Sequence, residues 1–184
     1  MFATIAVLIS FATRSQSAGE GILKTIARHY YKNEKPIVKG RNQLLFVFCD
    51  QPANNEEIFE TVNALKLPPG QINALRKKVL QDVAPANWRD ELEKIMAHED
   101  MAGLRTKVND CLTLEEYQQK QQRFNLNNQR LMIIYRPLLY NGGKSALAKI
   151  VFYRSIEHNS GAVLKLEFEN NNWVIKDFLN KWST

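Results

Sequence analysis

Ala97-His98-Glu99-Asp100 sets three metal-capable side chains in a row. Adjacent residues on a helix point in different directions, so the three cannot turn to one ion. At a helix end, His98 more simply favours the C-terminal dipole. Cys49-Asp50 puts a thiol beside a carboxylate, and a histidine from elsewhere could complete an activated nucleophile. No cysteine-hydrolase signature surrounds it. Ser145, Ser155 and Ser160 lack the G-x-S-x-G setting of a nucleophile elbow. Gly142-Gly143-Lys144-Ser145 ends like a phosphate loop. However, position 138 is Leu where the first glycine belongs, and a strand rather than a helix is expected to follow. These residue types nominate no catalytic set, no cofactor site and no metal site.

Two further groups remain. His29, Tyr30 and Tyr31, with Trp173 and Trp182, could line a ligand groove, although aromatics at helix or strand spacing more often fill a core. Cys49 and Cys111 are the only two cysteines. They could pair in an oxidising compartment, and the chain-entropy model credits so long a loop with about 4 kcal/mol. The alternative is two buried free thiols. Two cysteines alone cannot hold a structural zinc.

The elements that must position these residues are clearest towards the C-terminus. Leu131 to Tyr135 is apolar and β-prone. Pro137 interrupts it, which places Arg136 to Tyr140 at a sheet edge or bulge. Asn141-Gly142-Gly143 supplies the positive φ angles of a tight turn. Ser145 to Ser155 then puts Ala146, Ala148, Ile150 and Phe152 on one face, expected to be the core face. His158-Asn159-Ser160-Gly161 reads as a second turn. Leu164, Leu166 and Phe168 alternate with Val163, Lys165 and Glu167, the pattern of an antiparallel strand with one wet face. Asn170-Asn171-Asn172 makes a third turn, and Trp173-Val174-Ile175 opens a last strand.

Upstream, Gly21 to Lys32 has helical spacing, and Gln43 to Cys49 reads as a strand buried on both faces. Helices follow over 54–65, capped by Asn54, over 69–83, and over 87–97, capped by Asn87. Their short connections predict an antiparallel bundle. Thr113 and Glu116 form a capping-box pattern ahead of a Gln-rich, exposed helix. The predicted fold is α+β: a helical cluster, about 19–125, packed on one face of a C-terminal antiparallel β-meander, about 130–182, together a single domain over 19–184.

Met1 to Ala12 is nearly all apolar and is followed by small residues, which resembles a signal peptide over 1–18. The run is shorter than the ~20 residues that span a bilayer, and no other segment reads as transmembrane. The expected location is periplasmic or secreted. The formal charge of +6 is carried by basic flanks around a mildly acidic helical middle. That permits weak attraction to polyanions, but the basic residues are too scattered for specific nucleic-acid recognition.

Several short motifs occur together: Asn55-Glu56-Glu57-Ile58, Leu67-Pro68, Ile72 to Val79, Asn87-Trp88, Arg136-Pro137-Leu138-Leu139, Lys144-Ser145-Ala146-Leu147, Ser160-Gly161, and Trp173-Val174-Ile175 through Trp182-Ser183. With these the chain resembles uncharacterised exported proteins of Bacteroidota-type bacteria. The resemblance implies a small sheet closed by the last strand, and no activity. The leading expectation is an exported, non-enzymatic binding domain for an envelope or extracellular partner. The alternative is a periplasmic or secreted hydrolase in which His29, His98 or His158 meets an acid or nucleophile in one cleft.

Overall fold

The computed structural model describes residues 18–30, 45–54, 56–81, 84–97, 108–125, 130–155 and 157–184. The N-terminal stretch 1–17, Tyr31 and His98 lie outside the described residues. So does the onward connection 98–107.

The sheet grows from two long strands, β5 (Ser145–Ser155) and β6 (His158–Glu169), paired antiparallel along their length. β7 (Asn172–Ser183) adds to β6, again antiparallel. On the other side of β5 the chain supplies β3 (Leu131–Ile134) and β4 (Leu138–Tyr140), both antiparallel to it. These two short strands are one run broken at Pro137, which has no N–H to donate. β1 (Leu45–Phe48) lies beside β3 and is parallel to it, and β2 (Val108–Leu112) is parallel to β1. The order is β2-β1-β3-β5-β6-β7, with β4 beside β5. The antiparallel C-terminal strands are thus part of a mixed, seven-stranded sheet in an α+β fold.

Helices cover this sheet on both faces, one more layer than the single helical face read from the sequence. One face carries Ala146, Ala148, Ile150, Leu164 and Leu166. Against it pack Ile22, Leu23, Ile26 and Ala27 of α1 (18–30) and Leu92 and Ile95 of α4 (Arg89–Ala97), together with Trp88. The alanines of β5 leave room for α1 to approach. Gly21 does the same from the helix side: a Cβ there would stand 2.7 Å from Trp173 Cδ1. The opposite face carries Leu147 and Val163. It takes Ile58 and Val62 of α2 (Glu56–Ala64) and Leu75 and Val79 of α3 (Pro69–Gln81). At the other end of the sheet, Tyr117 of α5 (Leu114–Phe124) packs on Leu112 and Leu131, with Ile133 and Tyr153 at its margin.

The three middle helices therefore do not form one bundle. α2 and α3 pair on one face while α4 crosses to the other. Its crossing is fixed where Trp88 N–H donates to Cys49 O (2.7 Å) and Gln51 N–H to Ala86 O (2.8 Å). The Trp88 indole N–H donates to Ile134 O (2.9 Å), so the ring is buried with its one donor satisfied. Asn87 Oδ1 accepts from Arg89 N–H (3.1 Å), the expected cap. Asn54 does not cap α2. Its Nδ2 donates to Arg136 O (3.0 Å), and its Oδ1 finds no partner among the described residues. Thr113 and Glu116 close both bonds of the capping box, at 3.2 and 2.8 Å.

The first and third turns form as expected. Asn141, Gly142 and Gly143 all have positive φ (52, 63 and 80°), and so do Asn170 and Asn171 (48 and 64°). The second does not. β6 already pairs at His158, opposite Ser155, so 158–161 is strand rather than turn. Gly161 is needed for close approach: a Cβ there would collide with Trp182 Cζ2 and stand 2.6 Å from Ile150 O.

Candidate functional site

The proposed aromatic groove is divided by the sheet. On the α1 face His29 packs on Tyr30 (ring centroids 5.1 Å) and Phe178 (5.2 Å), and Tyr30 on Phe152 (4.7 Å). Trp173 lies on the same face against Gly21, with Thr25 Oγ1 donating to its carbonyl (3.0 Å). Trp182 lies on the opposite face, over Gly161 and 5.4 Å from the Lys149 ammonium. These side chains serve packing: burial holds the Tyr30 phenol up at about 12 and lowers the His29 imidazole. Tyr31 is outside the described residues.

The histidines do not gather either. His158 is exposed at the start of β6. His29 touches Phe178, whose partner Leu164 is six residues along that strand. At ~3.3 Å per residue, these positions are about 20 Å apart. His98 lies outside the described residues. Among the described residues no group of three His, Cys, Asp or Glu could hold a metal ion. Cys49, the residue after β1, is joined in a disulfide to Cys111 of β2, with the Arg89 guanidinium 3.7 Å from Cys49 Sγ. Cys49 is therefore not a nucleophile in this state.

Two features absent from the sequence reading stand out instead. The first is Lys149, in the middle of β5 and only 2% exposed. Alternation puts it on the α2 face between Leu147 and Val151. There its ammonium meets Glu57 Oε2 at 2.5 Å and sits 4.3 Å from the centre of the Tyr135 ring. Burial and the Glu57 charge together raise the Tyr135 phenol. This is an ion pair with one end dry and the other, Glu57, 38% exposed.

The second feature is a pair of clefts where α3 meets the β4–β5 turn. The larger, of about 570 Å³, is lined by Ala74, Leu75 and Lys78 of α3, by Leu139 and by the turn 141–143. The smaller, of about 460 Å³, is lined by the α2–α3 connection 65–68, and by Ser145, Lys165 and Glu167 of the sheet. They meet at Gln71, Tyr140 and Asn141, which line both. Tyr140 is 8% exposed, and its hydroxyl is enclosed beside the Ser145 side chain. The Ser145 hydroxyl also accepts from Asn141 Nδ2 (3.5 Å). Burial raises the Tyr140 pKa, so the phenol stays protonated and keeps a hydrogen to donate.

Both features were hard to see in advance. A lysine alternating with alanine and isoleucine reads as the wet face of a strand until a second helical layer is known. Tyr140 carried one signal: it shares the inward face with Leu138 and is followed at once by Asn-Gly-Gly, which sets it at a turn.

No family model matches the chain, and no curated protein and no solved structure matches it. Among the described residues no helix is long and apolar enough to cross a membrane.

Proposed function

We propose that the chain is an exported binding domain for a component of the envelope or the extracellular medium, and that its binding site is the paired cleft between α3 and the β4–β5 turn. The observation that carries the reading is the paired cleft itself, with apolar walls at Ala74, Leu75 and Leu139 and polar groups at Lys66, Lys78, Lys165 and Glu167. A cleft with apolar walls and a few fixed polar groups is the usual form of a ligand site. Export is supported by the leader-like sequence at 1–18 and by the Cys49–Cys111 disulfide, a bond that persists in oxidising compartments.

The test compares the full chain with Ala74→Trp. Ala74 is an exposed position on the cleft wall, so the new ring fills the cleft without entering the core. Each protein is incubated with envelope extract and with culture medium at low and high salt, and retained species are identified by mass spectrometry. A species held at both salts by the native chain and lost by Ala74→Trp is the expected result. Retention that Ala74→Trp leaves intact would overturn the site. Retention confined to low salt would reduce the interaction to charge alone.

A further inference from the structure

The two sulfurs of the disulfide occupy different places in the fold. Cys49 continues β1, which lies between β2 and β3, and it is 4% exposed. Cys111 belongs to β2, the outermost strand on that side among the described residues, and is 8% exposed. The start of α4 lies against Cys49. Trp88 N–H donates to the Cys49 carbonyl (2.7 Å), and the Arg89 guanidinium reaches Cys49 Sγ (3.7 Å). The carboxylates around this contact face water. Asp50, Asp90 and Glu116 are exposed and Glu91 is partly so. The Glu116 carboxyl is held low first by its hydrogen bonds with Thr113 and only then by the Arg89 charge. Water screens those charges, whereas the sulfur is buried.

Thiol–disulfide exchange begins when a thiolate attacks one sulfur, and the sulfur whose thiolate is better stabilised leaves faster. A neighbouring guanidinium stabilises a thiolate. Access from the sheet edge and the position of Arg89 therefore favour the same direction. We propose that the Cys49–Cys111 bond is a thiol–disulfide exchange site: an incoming thiolate bonds to Cys111 Sγ, the S–S bond breaks, and Cys49 leaves as a thiolate held by the Arg89 guanidinium. The co-reactant is a thiol, either a small one or the dithiol of a protein. Its second equivalent displaces Cys111 from the mixed disulfide. The co-reactant ends as a disulfide, and its two electrons and two protons end on Cys49 and Cys111. Backbone pairing of Val47 with Cys111 and Phe48 with Leu112 joins β1 and β2 independently of the sulfurs. Exchange thus opens the bond without taking the strand away.

The experiment uses the full chain with its disulfide formed. It is mixed briefly with reduced glutathione, quenched in acid, alkylated and digested, and the modified cysteines are located by mass spectrometry. Glutathione on Cys111 with the alkyl group on Cys49 is expected in about tenfold excess over the reverse arrangement. Arg89→Gln is expected to slow the reaction about tenfold, and Arg89→Lys to restore most of the rate. Unfolding midpoints of the oxidised variants separate this effect from a loss of fold. Attack on the folded protein also gives a rate that rises with thiol concentration and stays level in urea well below the midpoint. Thioredoxin as the reductant distinguishes the sources: reduction by it and not by glutathione supports a protein dithiol, and the converse supports a small thiol. Glutathione mainly on Cys49, an unchanged rate in Arg89→Gln, or reduction only as urea opens the fold would each overturn the proposal.

Discussion

Lys149 shows how one residue can be misread when its strand is taken alone. In Ala146-Leu147-Ala148-Lys149-Ile150 the lysine marks the face that ought to be wet, yet all five residues are buried. What changes its environment is α2, which arrives from ninety residues upstream and sets Glu57 against the ammonium. Nothing local in β5 announces that meeting. The two ends of the pair are unequal, and this makes a prediction. Glu57→Gln takes away the carboxylate facing an ammonium that water cannot reach, and breaking a buried pair in this way costs a few kcal/mol. Here the cost is expected near ~2 kcal/mol, because Glu57 is itself over a third exposed and partly screened. Lys149→Met keeps most of the apolar stem and leaves a carboxylate that can hydrate, so it is expected to cost about 1 kcal/mol or less, chiefly its lost contacts with Tyr135 and Trp182. Urea unfolding of the two variants checks the order. If Lys149→Met proves the more damaging, the ammonium is held by more than its pairing with Glu57.

At the scale of elements, the strands that obey period two were legible and those that break it were not. Leu164, Leu166 and Phe168 alternate cleanly, and their register with β5 is regular over most of its length. β2 is Val-Asn-Asp-Cys-Leu, which has no alternation to read; it is held by its pairing with β1 and by the disulfide. β7 carries two irregularities. One residue is surplus between the pairs Leu166–Ile175 and Lys165–Asp177, so Ile175 and Phe178 face the same way although three apart. A second lies between Val163–Leu179 and Gly161–Trp182, where Asn180 adopts a φ of 44°. That bulge re-aims the chain so that Trp182 lands on Gly161. The Ser160-Gly161 pair thus looked like a turn because glycine was read for its backbone freedom rather than its lack of a side chain. Gly161→Ala is accordingly expected to lower stability by about 1–3 kcal/mol through overpacking. Its denaturant midpoint should fall with the slope unchanged. Combining it with Trp182→Ala should cost less than the sum of the two changes, since without the Trp182 ring the added methyl has no ring to collide with. Additivity would mean that the added methyl acts through the Ile150 carbonyl alone.

For the whole molecule, the α+β class and the position of most helices followed from hydrophobic spacing, whereas the second helical layer did not. Spacing says which stripe of α2, α3 or α4 is apolar but not which face of a sheet it meets. That assignment rests on contacts distant in sequence, and the disulfide is the covalent one among them. Cys49 and Cys111 are 62 residues apart, and the loop they close contains α2, α3 and α4, helices from both faces. Cross-linking so long a loop removes entropy from the unfolded chain worth about 4 kcal/mol in the chain-entropy model, and measured values are often smaller. Set against a typical domain stability of ~5–15 kcal/mol, this is a large share. Reduction with dithiothreitol, or the Cys49→Ala/Cys111→Ala pair, is therefore expected to lower the unfolding free energy by about 2–4 kcal/mol. The urea slope should rise as the unlinked chain exposes more surface. The fold should still form at 25 °C, because α1 and the long β5–β6 pairing lie outside the loop that the bond closes. Equal midpoints for the oxidised and fully reduced protein, with the thiols counted by mass, would show that the sheet edge gains nothing from its cross-link. A loss of about 2–4 kcal/mol would tie the stability of the domain, though not its folding at 25 °C, to an oxidising compartment.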